Sequence, residues 1–320
     1  MCEYTNNLRT IAHPEARTRD NNKECGPELH KLYQSLLGAV AYLYLTRVDV
    51  LVFISACQRH GHKPSIIHVK RLNTIVKWLQ RTPKKLFYRR FPCMNTHLRI
   101  VSDAAFKKEE EKGHALRGVI YLRCTSDTSH NLSAKNSDRD PRGSLRRQVG
   151  HERQVHVHVL EFLSKSIRHV TRSTFSAELH SCCDSADLGI LILLLLHEIQ
   201  VGSVTRAQAR TLRENGGYSL PMVIQIDALS VFAAITATYI KAPAEKGLLS
   251  HVQFVRELLD SHVLSVLSWI DTRDMIADGL TKGSIDRQAL HTLMDGSITY
   301  TQEPKCWSSK VHIKAKIEYQ

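Results

Sequence analysis

Leu98–Phe106 reads LRIVSDAAF, an alternating, mostly apolar stretch with one acid, Asp103, near its far end. Alternation at period two predicts a strand, and a carboxylate at a strand end lies beside a crevice in an open sheet. Downstream, Ala115–Arg123 (ALRGVIYLR) and Val155–Ile167 (VHVHVLEFLSKSI) read as two further strands. The stretch between them, about 124–151, is rich in Ser, Asp, Asn, Arg and Gly and reads as a long insertion. Ser173 or Thr174 caps a long helix running to about Ile199. Pro221–Leu229 (PMVIQIDAL) is a strand, Ser230–Ile240 a helix, Ala244 to about His262 another, and Val263–Asp271 (VLSVLSWID) a strand. Thr272–Gly283 (TRDMIADGLTKG) opens a last helix. The order β-β-β-α-β-α-α-β-α predicts a mixed α/β domain over about 98–298.

Upstream, Leu32, Leu36, Leu37, Val40, Leu43 and Tyr44 recur at helical spacing, and Val50–Gln58 and Ser65–Gln80 continue the pattern. Residues 28–97 are therefore expected to form a small helical segment, after an irregular lead-in at 1–27. A basic tail is expected at 299–320.

The chain carries 44 Lys and Arg against 31 Asp and Glu, a net charge of +13. That balance points to a polyanionic partner, nucleic acid before an anionic membrane surface. The eight cysteines include no CxxC pair, which argues against a zinc ribbon or a disulfide scaffold. It favours reduced thiols inside a cell, without separating cytoplasm from nucleus. The opening MCEYTNNLRT has no apolar core of a secretory signal. Leu188–Leu196 (LGILILLLL) is nine residues, too short to span a ~30 Å hydrocarbon layer, and is expected to be buried, with no membrane partner.

Four acids stand where this layout gathers carboxylates: Asp103 and Asp227 at strand ends, Glu178 one turn into the long helix, and Asp278 after the last strand. Phosphodiester hydrolysis must stabilise charge on the attacking and leaving oxygens, and two Mg²⁺ ions about 3.5–4 Å apart do this. Mg²⁺ takes oxygen ligands, with Mn²⁺ as a substitute. In this reading Asp103 bridges both ions, Glu178 and Asp227 share one, and Asp278 holds the other. Taken singly, each acid reads as well as a turn former or cap, and Asp271 and Asp274 compete with Asp278. Lys165, Arg168, Arg146, Arg147 and Lys282 are the candidate phosphate contacts, with a solvated surface as the rival reading. His151, His156 and His158 invite a metal reading but lack a second ligand cluster. Trp269 and Trp78 read as packing residues.

At these residues the sequence resembles the ribonuclease H region of copia-type retrotransposon Pol polyproteins. IVSDAAF stands where the family has YSDADW, STFSAEL resembles SSTEAEY, IDALSVFAAI resembles CDNQSAI, and ADGLTKGSI resembles ADILTKPL. Upstream, LYQSLLGAVAYLYLTRVDVLVFIS and HVKRLNTIVKWLQRTP resemble the end of the same family's reverse transcriptase region. The six motifs lie in family order over about 29–296. The resemblance implies a mixed five-stranded sheet flanked by helices, dependence on Mg²⁺, and endonucleolytic cleavage of the RNA strand of RNA–DNA hybrids. Departures are plain. The chain has no Asp-Asp dipeptide, so the polymerase motif is missing. Val48 replaces a proline, and KGLLSHVQFVRE has lost the family's histidines, His251 being offset. A decayed, non-catalytic nucleic-acid-binding remnant is thus the rival function. An integrase-like strand-transfer enzyme fits the motif order less well.

Overall fold

A computed structural model describes residues 2–91, 96–106, 115–125, 153–240 and 243–310. Most of the expected insertion, with Arg146, Arg147 and His151, lies outside the described residues.

The strands β1 (Thr96–Ala105), β2 (Leu116–Thr125), β3 (Arg153–Ser166), β4 (Met222–Ile226), β5 (Val266–Trp269), β6 (Ser297–Tyr300) and β7 (Lys305–Trp307) form one sheet in the order β6-β3-β2-β1-β4-β5-β7. β1 pairs antiparallel with β2 and parallel with β4, and β4 pairs parallel with β5. The protein is therefore α/β with a mixed sheet, and its central order β3-β2-β1-β4-β5 is compatible with a ribonuclease H-like fold. The expectation of five strands is corrected to seven. β3 has 14 residues, and its N-terminal end offers Arg153–His156 to β6. β7 covers the free edge of β5. Pairing of these edges removes exposed ladders that would otherwise template association.

β1 is buried on both faces because its neighbours are covered on both sides. Leu98 and Ile100 join one core with Val119 and Tyr121, while Val101 joins the other with Ile120 and Leu122. Period two sends alternate residues to opposite layers. The first layer is closed by α5 (Thr174–Val201), whose Leu179, Cys182, Cys183, Ala186, Ile190 and Leu193 recur every three or four residues. The nine-residue apolar run thus belongs to a 28-residue helix, long and apolar enough by length and composition to cross a membrane. In this fold 61% of its most apolar window is buried inside the protein, but the run itself is buried only in part, with Leu191 and Leu195 exposed.

Other helices are α1 (Cys2–Asn7), α2 (Pro27–Ala41), α3 (Leu51–Arg59), α4 (Ile66–Arg81), α6 (Arg206–Asn215), α7 (Leu229–Thr236), α8 (Leu249–Asp260), α9 (Asp278–Thr281) and α10 (Gln288–Met294). The lead-in differs from the expected irregular chain. Leu8 is buried, the Tyr4 hydroxyl donates to Ala39 O at 2.7 Å, and Asn73 exchanges two hydrogen bonds with the Ile11 backbone. α6 was not anticipated, because it buries no residue and so has no apolar stripe; its sequence signal is the Thr205–Gln208 capping box. The expected helix at Thr272–Gly283 is broken into a 3₁₀ turn at Thr272–Asp274 and the short α9. The turn is held by Asp271, whose Oδ1 accepts the Arg273 N–H. The tail differs as well, since Lys305–Trp307 is sheet; residues 311–320 lie outside the described residues.

Candidate metal centre

Three of the four acids converge. Ligand oxygens of Asp103, Glu178 and Asp227 all lie within 4.8 Å of one another. Asp103 sits on central β1, two residues short of its end, and Asp227 follows directly on β4, the parallel neighbour. Glu178 comes from the first turns of α5, whose start is set by Ser173 accepting the Ser176 N–H at 3.1 Å. A buried serine set fixes α5 against β1 at this level. Ser181 Oγ donates to Asp103 O at 3.1 Å, and the Ser102 and Ser181 hydroxyls lie 2.8 Å apart.

Asp278 reaches the same region from α9. Its approach depends on Gly118, which faces Asp103 across β1 and β2. A Cβ at Gly118 would lie 2.8 Å from Ala277 O, Leu280 Cβ and Thr281 Cγ2. The bare glycine therefore lets α9 settle on β2. Thr281 then donates its hydroxyl to Asp103 Oδ2, and the Lys282 ammonium pairs with Asp278 Oδ1. Asp227 is oriented by Thr272, whose hydroxyl donates to Oδ2 at 3.0 Å, and by the Trp269 indole N–H, 2.8 Å from its carbonyl. Thr281, Thr272 and Gly118 were not picked out from the sequence as site residues, although Thr281 lies inside a motif. Trp269 is half-buried, and beyond packing it anchors Asp227.

The rivals of Asp278 are turned elsewhere. Asp274 accepts the Thr301 and Gln302 backbone N–H groups at 2.8–3.0 Å and pins the chain leaving β6. Asp271 pairs with Arg273 at 2.8 Å. The two never share a helix face with Asp278, because no helix spans 274–278.

The electrostatics are those of crowded acids with a single neighbouring cation among the described residues, Lys282, set against them. Burial, then the Asp103 and Asp227 charges, push the Glu178 carboxyl up to about 9. Burial and the Asp278 charge push Asp103 up to about 7, with Thr281 and Lys282 pulling down. Asp227 is raised by burial and Asp278, against Thr272. Burial works against the Lys282 ammonium, but Asp278, Asp103 and Asp227 hold it above its ordinary value. Glu178 Oε2 is buried with no hydrogen-bond partner. A buried, partnerless carboxylate oxygen is costly unless a cation meets it. The donors are all carboxylate oxygens, so the triad is a set able to hold a hard cation.

The chain is 24% identical over 257 residues to the retrovirus-related Pol polyprotein from transposon RE1 of Arabidopsis thaliana. The chain is thus similar in sequence to a retrotransposon Pol polyprotein. The match covers 78% of the chain and 14% of that polyprotein. No protein-family model matches the chain, and no solved structure does.

In this chain the basic candidates are dispersed. Lys165, on β3 opposite Arg117, and Arg168, just after β3, are exposed. Lys282 lies in the acid cluster itself. His156 and His158 are half-buried and already engaged: His156 meets Arg89 Nη1 at 3.0 Å, and His158 stacks on Phe91 at 3.7 Å. Trp78 is 41% exposed, with its indole N–H 3.4 Å from Asp49. The cysteines at 25, 57, 124, 182, 183 and 306 are unpaired.

Proposed function

We propose that the chain is a retrotransposon-derived, copia-type ribonuclease H that hydrolyses the RNA strand of RNA–DNA hybrids endonucleolytically. The observation that carries this reading is the convergence of Asp103, Glu178 and Asp227, from β1, α5 and β4, with Asp278 alongside. Two Mg²⁺ ions, or Mn²⁺ in their place, would supply charge stabilisation and an activated water. Asp103 would serve both ions, Glu178 and Asp227 would hold one with it, and Asp278 the other. The protein's remaining tasks are positional. Thr281, Thr272 and the Trp269 indole keep Asp103 and Asp227 aimed inward. Lys165 and Arg168, with Arg146 and Arg147, supply charge for the phosphate backbone. The 2′-hydroxyl distinguishes the RNA strand from DNA. Unpaired thiols fit an intracellular setting.

A hybrid-cleavage assay in Mg²⁺ tests this. The unmodified chain is expected to cut the RNA strand. Asp103→Asn is expected to lose more than about 100-fold in rate with its circular dichroism unchanged, since even groups that only orient metal ligands cost about 10–100-fold. Salt-sensitive hybrid binding without cleavage by the unmodified chain would overturn the enzymatic reading.

A further inference from the structure

The fourth acid differs in state from the other three. Asp103, Glu178 and Asp227 aim ligand oxygens at one another, whereas Asp278 is already engaged by the Lys282 ammonium. The two residues are four apart across α9 and so share one face of that turn. The ends of the pair are unequal. The Asp278 side chain is 9% exposed and that of Lys282 39%. The carboxylate is nearly enclosed, while the ammonium, on a flexible four-carbon stem, reaches solvent by changing rotamer. Lys282 therefore has both a reason to be in the cluster and a way out of it.

We propose that Lys282 is a displaceable counter-cation: it holds Asp278 in the ion-free site, and a divalent ion gains that carboxylate only by expelling the ammonium. The proposal rests on the acid cluster being a metal centre. A first ion enters among Asp103, Glu178 and Asp227 without displacing a cation. A second must displace one, so the two bind in order, tight and then weak. In the ion-free protein the lysine also relieves repulsion among four neighbouring carboxylates.

Titration of the full chain with Mn²⁺, with the free ion followed by electron paramagnetic resonance, counts sites without needing turnover. Lys282→Gln is expected to tighten the second ion about tenfold while moving the first by less than about threefold. Lys282→Arg keeps charge and reach and should leave the second step weak. Lys246→Gln removes an equal charge from an exposed position and should move neither step. In EDTA, Lys282→Gln should melt below the unmodified chain, and saturating Mn²⁺ should close the gap. A second step unmoved in Lys282→Gln, or moved equally in Lys246→Gln, overturns displacement. Failure of Lys282→Gln to fold in saturating Mn²⁺ also overturns it, because the ion then does not replace the ammonium. If neither the unmodified chain nor Lys282→Gln binds Mn²⁺, the metal-centre reading itself falls, and this inference with it.

Discussion

Asp103 and Glu178 are acids placed where acids are unfavourable, and that placement sets a pH dependence. Their folded values of about 7 and about 9 lie above the ordinary 3.8 and 4.5. The folded state therefore binds protons more tightly than the unfolded chain. The stability they contribute is full below about pH 4 and is lost as pH rises through 7 and then 9. In EDTA the Tm should fall between about pH 5 and about pH 9. With saturating Mn²⁺ the fall should shrink or reverse, because a bound cation favours the charged carboxylates. A flat profile in EDTA would show that the carboxyls do not meet. The same residues illustrate what was legible. Each acid was readable as a candidate from its motif, but its proton affinity depends on which other acids the fold brings near.

At the scale of elements, the contact between α9 and β2 positions half of the centre. The atoms that a Cβ at Gly118 would strike belong to the Ala277 backbone or lie close to it on Leu280 and Thr281. They cannot swing aside as a long side chain would, so α9 itself must move. Gly118→Ala should cost about 1–3 kcal/mol in denaturant unfolding, the range for overpacking a filled core. It should also weaken divalent-ion binding, since Asp278 and Thr281 ride on α9. Gly38 is the control. It is helical and exposed, with nothing within 4 Å of an added Cβ, so Gly38→Ala should stabilise by about 0.5–1 kcal/mol. Equal effects at the two glycines would rule out the close approach of α9.

Across the whole molecule, the helical segment is joined to the sheet by a shared core, and a buried ion pair within that segment lies beside the junction. Arg47 and Asp49 are almost wholly inaccessible and meet bidentately at 2.9 and 2.8 Å. Asp49 Oδ2 also lies 3.4 Å from the Trp78 indole on α4 and 3.4 Å from His291 on α10. Burial pushes the Asp49 carboxyl up, but Arg47 outweighs it and holds the group below its ordinary value. Val48 and Leu51 share a core with Val101 and Leu280, and Ser55 Oγ donates to Ser164 O at 2.9 Å. Residues 28–97 should therefore unfold together with the sheet. Asp49→Asn leaves Arg47 buried without its counter-charge and should cost about 3–5 kcal/mol. Two separated transitions, one seen by Trp78 fluorescence in a Trp269→Phe, Trp307→Phe background and one by far-ultraviolet circular dichroism, would contradict a shared core.

What the sequence by itself determined is what local rules encode. Short apolar runs mark β1 to β5, caps and helical spacing mark α2 to α5, and the family resemblance, through motif order, singles out Asp103, Glu178, Asp227 and Asp278 as candidates. The tertiary structure decided the rest. β6 and β7 have four and three residues, too few for a period to show, and exist because β3 and β5 offer them edges. The lead-in packs because α2 and α4 supply partners for scattered Tyr4, Leu8 and Ile11. Only the fold shows that three of the acids meet while the fourth faces Lys282. Distances between residues 103, 178, 227 and 278 are set by how β1, β4, α5 and α9 pack, and side-chain packing across layers leaves no periodic trace along the chain.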